Sequence, residues 1–137
     1  MTTYHDLTRI NRYRSQSIRL LNAAMNELRG GKWTRSEELL WGSLTLAVKG
    51  AALSRGVNVE DDPSVKAYAQ TLGSELRDRR VREAFEQLAS LTDSLERSRE
   101  TRRRVDRVYR VLEDIGGAIE RLWDLVDTNL ASQDGGG

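Results

Sequence analysis

The chain has 137 residues, 31% of them charged and 38% hydrophobic, and a formal net charge of +1. That length suits one domain able to bury about two-thirds of its unfolded surface. It contains no cysteine, which excludes disulfide staples and thiolate metal sites, and its near-neutral charge offers nucleic acid no global basic field.

The opening residues lead from Met1 to Asp6 directly into a polar, Arg-rich stretch without a secretory apolar core, so a cytoplasmic domain is expected. The first apolar stripe reads Ile10, Tyr13, Ile18, Leu21, Met25 and Leu28. Its spacing is helical, and it stops at Gly30-Gly31, a natural C-terminal signal. A second helix is expected from about Trp33-Thr34 to Arg55, ending at Gly56. Within it, Leu39 to Ser54 carries a single charge, Lys49. On a helical wheel its apolar groups fall on every side: Leu40, Leu44 and Ala51; Leu39, Leu46 and Leu53; Trp41, Val48 and Ala52. A helix that is apolar all round is buried in a bundle or a membrane. This run is shorter than the roughly 20 residues a bilayer span needs, and Arg35, Glu37 and Glu38 abut it, so the centre of a bundle is expected and no membrane.

After a loop from Val57 to Asp61, Asp62 and Pro63 read as the N-cap and first position of a third helix. Val65, Tyr68, Leu72 and Leu76 give it one face, with Gly73 a weak point or end. A fourth helix takes Val81, Ala84, Phe85, Leu88, Leu91 and Leu95. Between Leu95 and Val105 the apolar pattern lapses, which reads as a turn in preference to the solvated middle of one long helix. The last stripe, Val105, Val108, Leu112, Ile115, Ile119, Leu122, Val126 and Leu130, alternates steps of three and four, as in a heptad seam. Its phase passes unchanged through Gly116-Gly117, which predicts a kinked or closely packed helix. Leu112, Ile115, Ile119, Leu122 and Val126 are therefore a candidate helix–helix or dimer seam. No strand pattern of useful length occurs. The fold class is all-α, an up-and-down bundle of four to five helices over residues 1–131, with Ser132 to Gly137 expected as a disordered tail.

The block Ser36-Glu37-Glu38-Leu39-Leu40-Trp41-Gly42, continuing through Ala47-Val48-Lys49 to Arg55-Gly56, resembles the second helix of HEPN-superfamily proteins, closest to the archaeal repeat-associated PaREP branch. Leu20-Leu21-Asn22-Ala23-Ala24 with Glu27-Leu28-Arg29-Gly30 is similar to that family's first helix, and the helix order matches from about Ile10 to Leu130. The resemblance implies a four- or five-helix bundle, commonly a homodimer. Many HEPN proteins are metal-independent endoribonucleases carrying Arg, four to six residues, then His. Here the only histidine, His5, precedes every arginine, so that motif cannot be written, and no catalytic residue is assigned. Where the PaREP pattern has Leu-His, this chain has Leu91-Thr92 or Val108-Tyr109.

Two groups of residues carry candidate binding chemistry. Lys49, flanked by apolar neighbours, either snorkels or pairs with a carboxylate, or else binds an anion in a cleft that Trp41, eight residues earlier, would wall. The segment from Glu96 to Arg110 holds Arg97, Arg99, Arg102, Arg103, Arg104, Arg107 and Arg110 against Glu96, Glu100 and Asp106. On a continuous helix Arg99, Arg103, Arg107 and Arg110 form a strip that suits phosphates, with Tyr109 placed to stack a base, or they form a solvated face paired with acids. Arg9, Arg12, Arg14 and Arg19 would extend the strip if the first and last helices lie side by side. Two functions follow as expectations. One is a non-catalytic, homodimeric binding or assembly module without cofactor or metal. The other is an RNA- or nucleotide-binding protein of a toxin–antitoxin or mobile-element system, as the family suggests.

Overall fold

The structure, a computed structural model, describes the backbone of residues 3–97 and 102–135 and the side chains of residues 3–92 and 107–132. Five helices follow one another: α1 (Tyr4–Arg29), α2 (Trp33–Leu53), α3 (Asp62–Leu76), α4 (Arg79–Arg97) and α5 (Arg102–Gly135). No strand occurs among the described residues, and none of their helices is long and apolar enough to cross a membrane. The protein is an all-α helical bundle.

Helix α2 is its axis. Every residue from Leu39 to Ser54 is buried or half-buried, as the all-round apolar wheel requires. The helix meets α1 through Ser43 and Ser17, α5 through Gly50 and Trp123, and α4 through Trp41 and Phe85. Paired positions fix the directions. Tyr109 meets Leu28 and Trp123 meets Ser17, so α5 runs antiparallel to α1. Arg80 of α4 lies against Gly117 of α5. One continuous helix would set residues 80 and 117 about 55 Å apart at 1.5 Å per residue, so the chain reverses between α4 and α5. The turn itself lies outside the described residues. One connection departs from strict alternation. Lys66 lies over Trp41 while Glu75 pairs with Arg55, so α3 runs in the same sense as α2.

Helix ends follow local chemistry. Lys32 N–H bonds the Glu27 carbonyl (2.9 Å) and Val57 N–H the Ala52 carbonyl (2.9 Å), each closing a Schellman turn across a left-handed glycine, Gly31 or Gly56, both at φ 75°. At α3 the same turn, Asp78 N–H to the Gly73 carbonyl, is closed by Arg77 at φ 51°. The α3 cap is Asp61, one residue earlier than expected: its carboxylate accepts from Ser64 N–H at 2.7 Å, and Asp62 falls in the first turn. Gly73 does not end the helix. A Cβ there would lie 2.4 Å from the Arg82 backbone, so glycine serves a close α3–α4 crossing. Gly116-Gly117 likewise stays helical, crowded by Met25 and Arg80.

Two further expectations are corrected, and a third is narrowed. Ile18 is 40% exposed, and the buried positions of α1 are Ile10, Ser17, Leu21, Ala24 and Leu28, a heptad-like series that takes in a serine. Residues 132–135, expected to be disordered, continue α5. The seam Leu112, Ile115, Ile119, Leu122 and Val126 is buried inside a single chain, so of its two expected roles, helix–helix or dimer packing, it serves the first and packs α5 onto its own bundle.

Candidate functional site

On the side of α2 away from α1, α3 and α4 leave an open cleft of about 410 Å³. Trp41, Gly42, Thr45 and Leu46 of α2 line it, with Val65 of α3 and Phe85 of α4, and Asp62 and Lys66 stand on its α3 rim. The Trp41 and Phe85 rings meet at 5.6 Å between centroids and 36°. Lys66 Nζ rests 5.6 Å from the Trp41 centroid, a cation over an aromatic face, and forms no ion pair among the described residues. Thr45 turns its hydroxyl back to the Trp41 carbonyl (2.8 Å), leaving its methyl to the cleft wall.

Trp41 is held from behind. Glu37, only 5% exposed, sits one turn earlier on α2, and its Oε1 accepts from both the Trp41 indole N–H and the Thr92 hydroxyl of α4. No lysine or arginine approaches that carboxylate within ion-pair distance among the described residues. A buried carboxylate needs hydrogen-bond donors, and here two neutral ones converge on Oε1. The consequence is positional: α2 and α4 are latched together, and the indole plane is fixed at the mouth of the cleft.

Of the residues singled out in the sequence, Trp41 does wall a cleft, but the cation beside it is Lys66. Lys49 is half-buried, does not line the cleft and has no ion pair among the described residues, which fits a stem that snorkels. Arg107 and Arg110 are exposed. Arg99 and the side chain of Arg103 lie outside the described residues. Tyr109 is half-buried and engaged within the bundle: its hydroxyl donates to the Leu28 carbonyl (2.7 Å) and its ring meets Trp33 edge-on at 6.2 Å. The helix-one arginines do not extend the strip. Arg14 pairs with Asp127 and packs over Trp123 at 5.2 Å, some twenty residues along α5 from Arg107 and hence about 30 Å away. Arg29, Lys32 and Arg35, at the α1–α2 corner that Tyr109 clasps, stand there in their place.

Sequence reasoning missed Glu37, Thr92, Asp62 and Lys66. The Glu37–Trp41 step of four was a legible signal, since it puts carboxylate and indole on one face. Lys66 carried none, because only the return of α3 along α2 brings it there. The class that fold and site define is a helical bundle with an aromatic-walled cleft. Comparisons with protein-family models, with curated proteins and with solved structures found no match.

Proposed function

We propose that this chain is a non-enzymatic helical binding module that takes part of a protein partner into the α2–α3–α4 cleft. The observation that carries the reading is the buried Glu37–Thr92 latch, which fixes a partly exposed tryptophan at the mouth of an apolar opening. Rigid aromatic anchors in preformed clefts give large contact area at little cost in ordering. The HEPN-like second-helix block, Ser36 to Gly56, contains the latch residue and Trp41 but no catalytic histidine, in keeping with binding in place of cleavage. Self-association, if the module uses it, employs a face other than the α5 seam.

Selection of displayed peptides on the native protein and on Trp41→Ala tests the reading. Sequences enriched on the native surface should compete with one another and disappear from selections on the variant. Equal enrichment on both would remove the cleft from the working surface.

A second reading has its own observation. The Tyr109–Leu28 clasp brings the stretch of α5 that carries Arg107 and Arg110 to the α1–α2 corner that carries Arg29, Lys32 and Arg35, all exposed, with Glu27 and Glu38 as the partners of Lys32 and Arg35. Such a corner favours the phosphates of RNA. Affinity for a single-stranded RNA that falls steeply with salt and drops in Arg107→Ala with Arg110→Ala supports it; no retention at low salt eliminates it.

A further inference from the structure

We propose that the occupant of the cleft is an amphipathic helix of a partner protein, which inserts one large apolar side chain between Trp41, Phe85 and Val65 and lies along α3 with a carboxylate facing Lys66 and, one turn away, a cation facing Asp62. This rests on the reading of the cleft as the working surface.

The cavity is near the lower end of the range for built binding sites and has room for a large apolar side chain. Its walls are apolar, so the selecting charges are those of the rim. Asp62 and Lys66 stand one turn apart on an exposed face of α3, at a spacing that ordinarily closes an ion pair. They do not close one; the lysine leans over Trp41 instead. Two opposite charges about 6 Å apart along a helix are matched by the same one-turn repeat on a second helix laid against it. A nucleic acid fits poorly, because Asp62 puts a carboxylate on the rim and the lining is otherwise mostly apolar. A small carboxylate would leave Asp62 unanswered, and a small cation would meet Lys66. Only a ligand carrying both signs at helical spacing answers the whole rim.

Two Ala-rich helical peptides of about 16 residues serve as probes. Both carry a Leu anchor and an Arg; in the first a Glu lies four residues from the Arg on the same face, and in the second that Glu is replaced by Arg. Calorimetry on the native protein should favour the first roughly tenfold, and Lys66→Glu should reverse the preference. Lys66→Gln, exposed and structurally neutral by circular dichroism, should abolish the preference without reversing it. Equal binding of both peptides, lost in Trp41→Ala, overturns the charge pattern while leaving the cleft reading intact. Binding of neither overturns the inference, and the displayed-peptide selection then decides the cleft reading separately. Sedimentation that shows a dimer disrupted by Trp41→Ala identifies a second copy as the occupant and also overturns it.

Discussion

Towards α1 and α5, helix α2 presents Ser36, Ser43, Gly50 and Ser54; towards α3 and α4 it presents Trp41, Thr45 and Leu46 around an opening. On the first side backbones approach closely and hydroxyls reach across to carbonyls. Ser17 donates to the Ser43 carbonyl (2.9 Å) and Ser43 to the Ser17 carbonyl (2.7 Å), while Ser36 reaches the Ala24 carbonyl (2.8 Å). Trp123 then roofs the pair, its indole N–H on Ser17 Oγ at 2.9 Å. On the second side two large rings, Trp41 and Phe85, meet beside an opening, and the polar atoms serve to hold one of them. Small residues close an interface; a fixed large one keeps an interface open. The first side packs the bundle closely, and the second leaves it a cleft.

The strongest way to break this contrast is to put bulk where the small residues are. A Cβ on Gly50 would lie 2.6 Å from the Trp123 ring. That ring cannot retreat, because Ser17 holds its N–H and the Arg14 guanidinium covers its face. Gly50→Val should therefore cost about 3 kcal/mol or more in urea unfolding. An unchanged midpoint would mean that the α2–α5 contact is looser than described. Ser17→Ala comes next. It leaves the Trp123 N–H and one Ser43 lone pair in a buried site, a loss of about 1–3 kcal/mol. Restoration of a partner by Ser17→Thr should recover part of it, since the hydroxyl returns.

The closely packed side was only half legible in the sequence. The uniform burial of α2 follows from its wheel, and the stops at Gly30-Gly31 and Gly56 follow from the left-handed turns that close α1 and α2. Ser17 was not legible, because a serine in an apolar stripe reads as solvent-facing and Ile18 beside it reads as core. What decides between them is a neighbouring helix close enough to accept the hydroxyl. The heptad repeat of Ser36, Ser43 and Gly50 was the available signal, since small residues recurring every seven positions mark a close helix crossing. The cleft was less legible still. Trp41 is visible as an aromatic on a buried helix, but its partners come from α3 and α4, and their placement depends on a loop that returns α3 along α2. The arginine strip was legible as charge and not as geometry, for the antiparallel course of α1 and α5 sends Arg9, Arg12 and Arg14 to the far end.

The cleft side gives smaller effects. Glu37→Gln retains an acceptor at Oε1 and should change stability by less than about 1 kcal/mol, whereas Glu37→Ala leaves the Trp41 N–H only the Thr92 oxygen at 3.5 Å and should cost about 1–2 kcal/mol, the Thr92 hydroxyl keeping the Leu88 carbonyl at 2.9 Å. The difference in role appears in a second measurement. Glu37→Ala should release Trp41, seen as increased acrylamide quenching of a protein whose other tryptophans are Phe, while Ser17→Ala leaves that quenching alone. Equal quenching in both variants would show that the latch does not position the ring.

The smallest effect tests how the cleft's α3 rim is held. Asp61 is fully exposed, and the Ser64 hydroxyl and then the Ser64 N–H, both bonded to it, hold its carboxyl below the usual carboxylate range. A carboxyl lowered on folding adds stability above its unfolded value, near pH 4, and that contribution is lost as the pH falls through the folded value. Asn also caps helices but does not titrate there. The native protein should therefore be slightly more stable than Asp61→Asn at pH 7, and the two urea midpoints should converge below about pH 4. A gap that persists into acid would assign the cap to packing at Pro63 and not to charge. The start of α3 would then be held by shape alone, and the carboxylate of Asp62 would be the rim's only acidic group with a job to do.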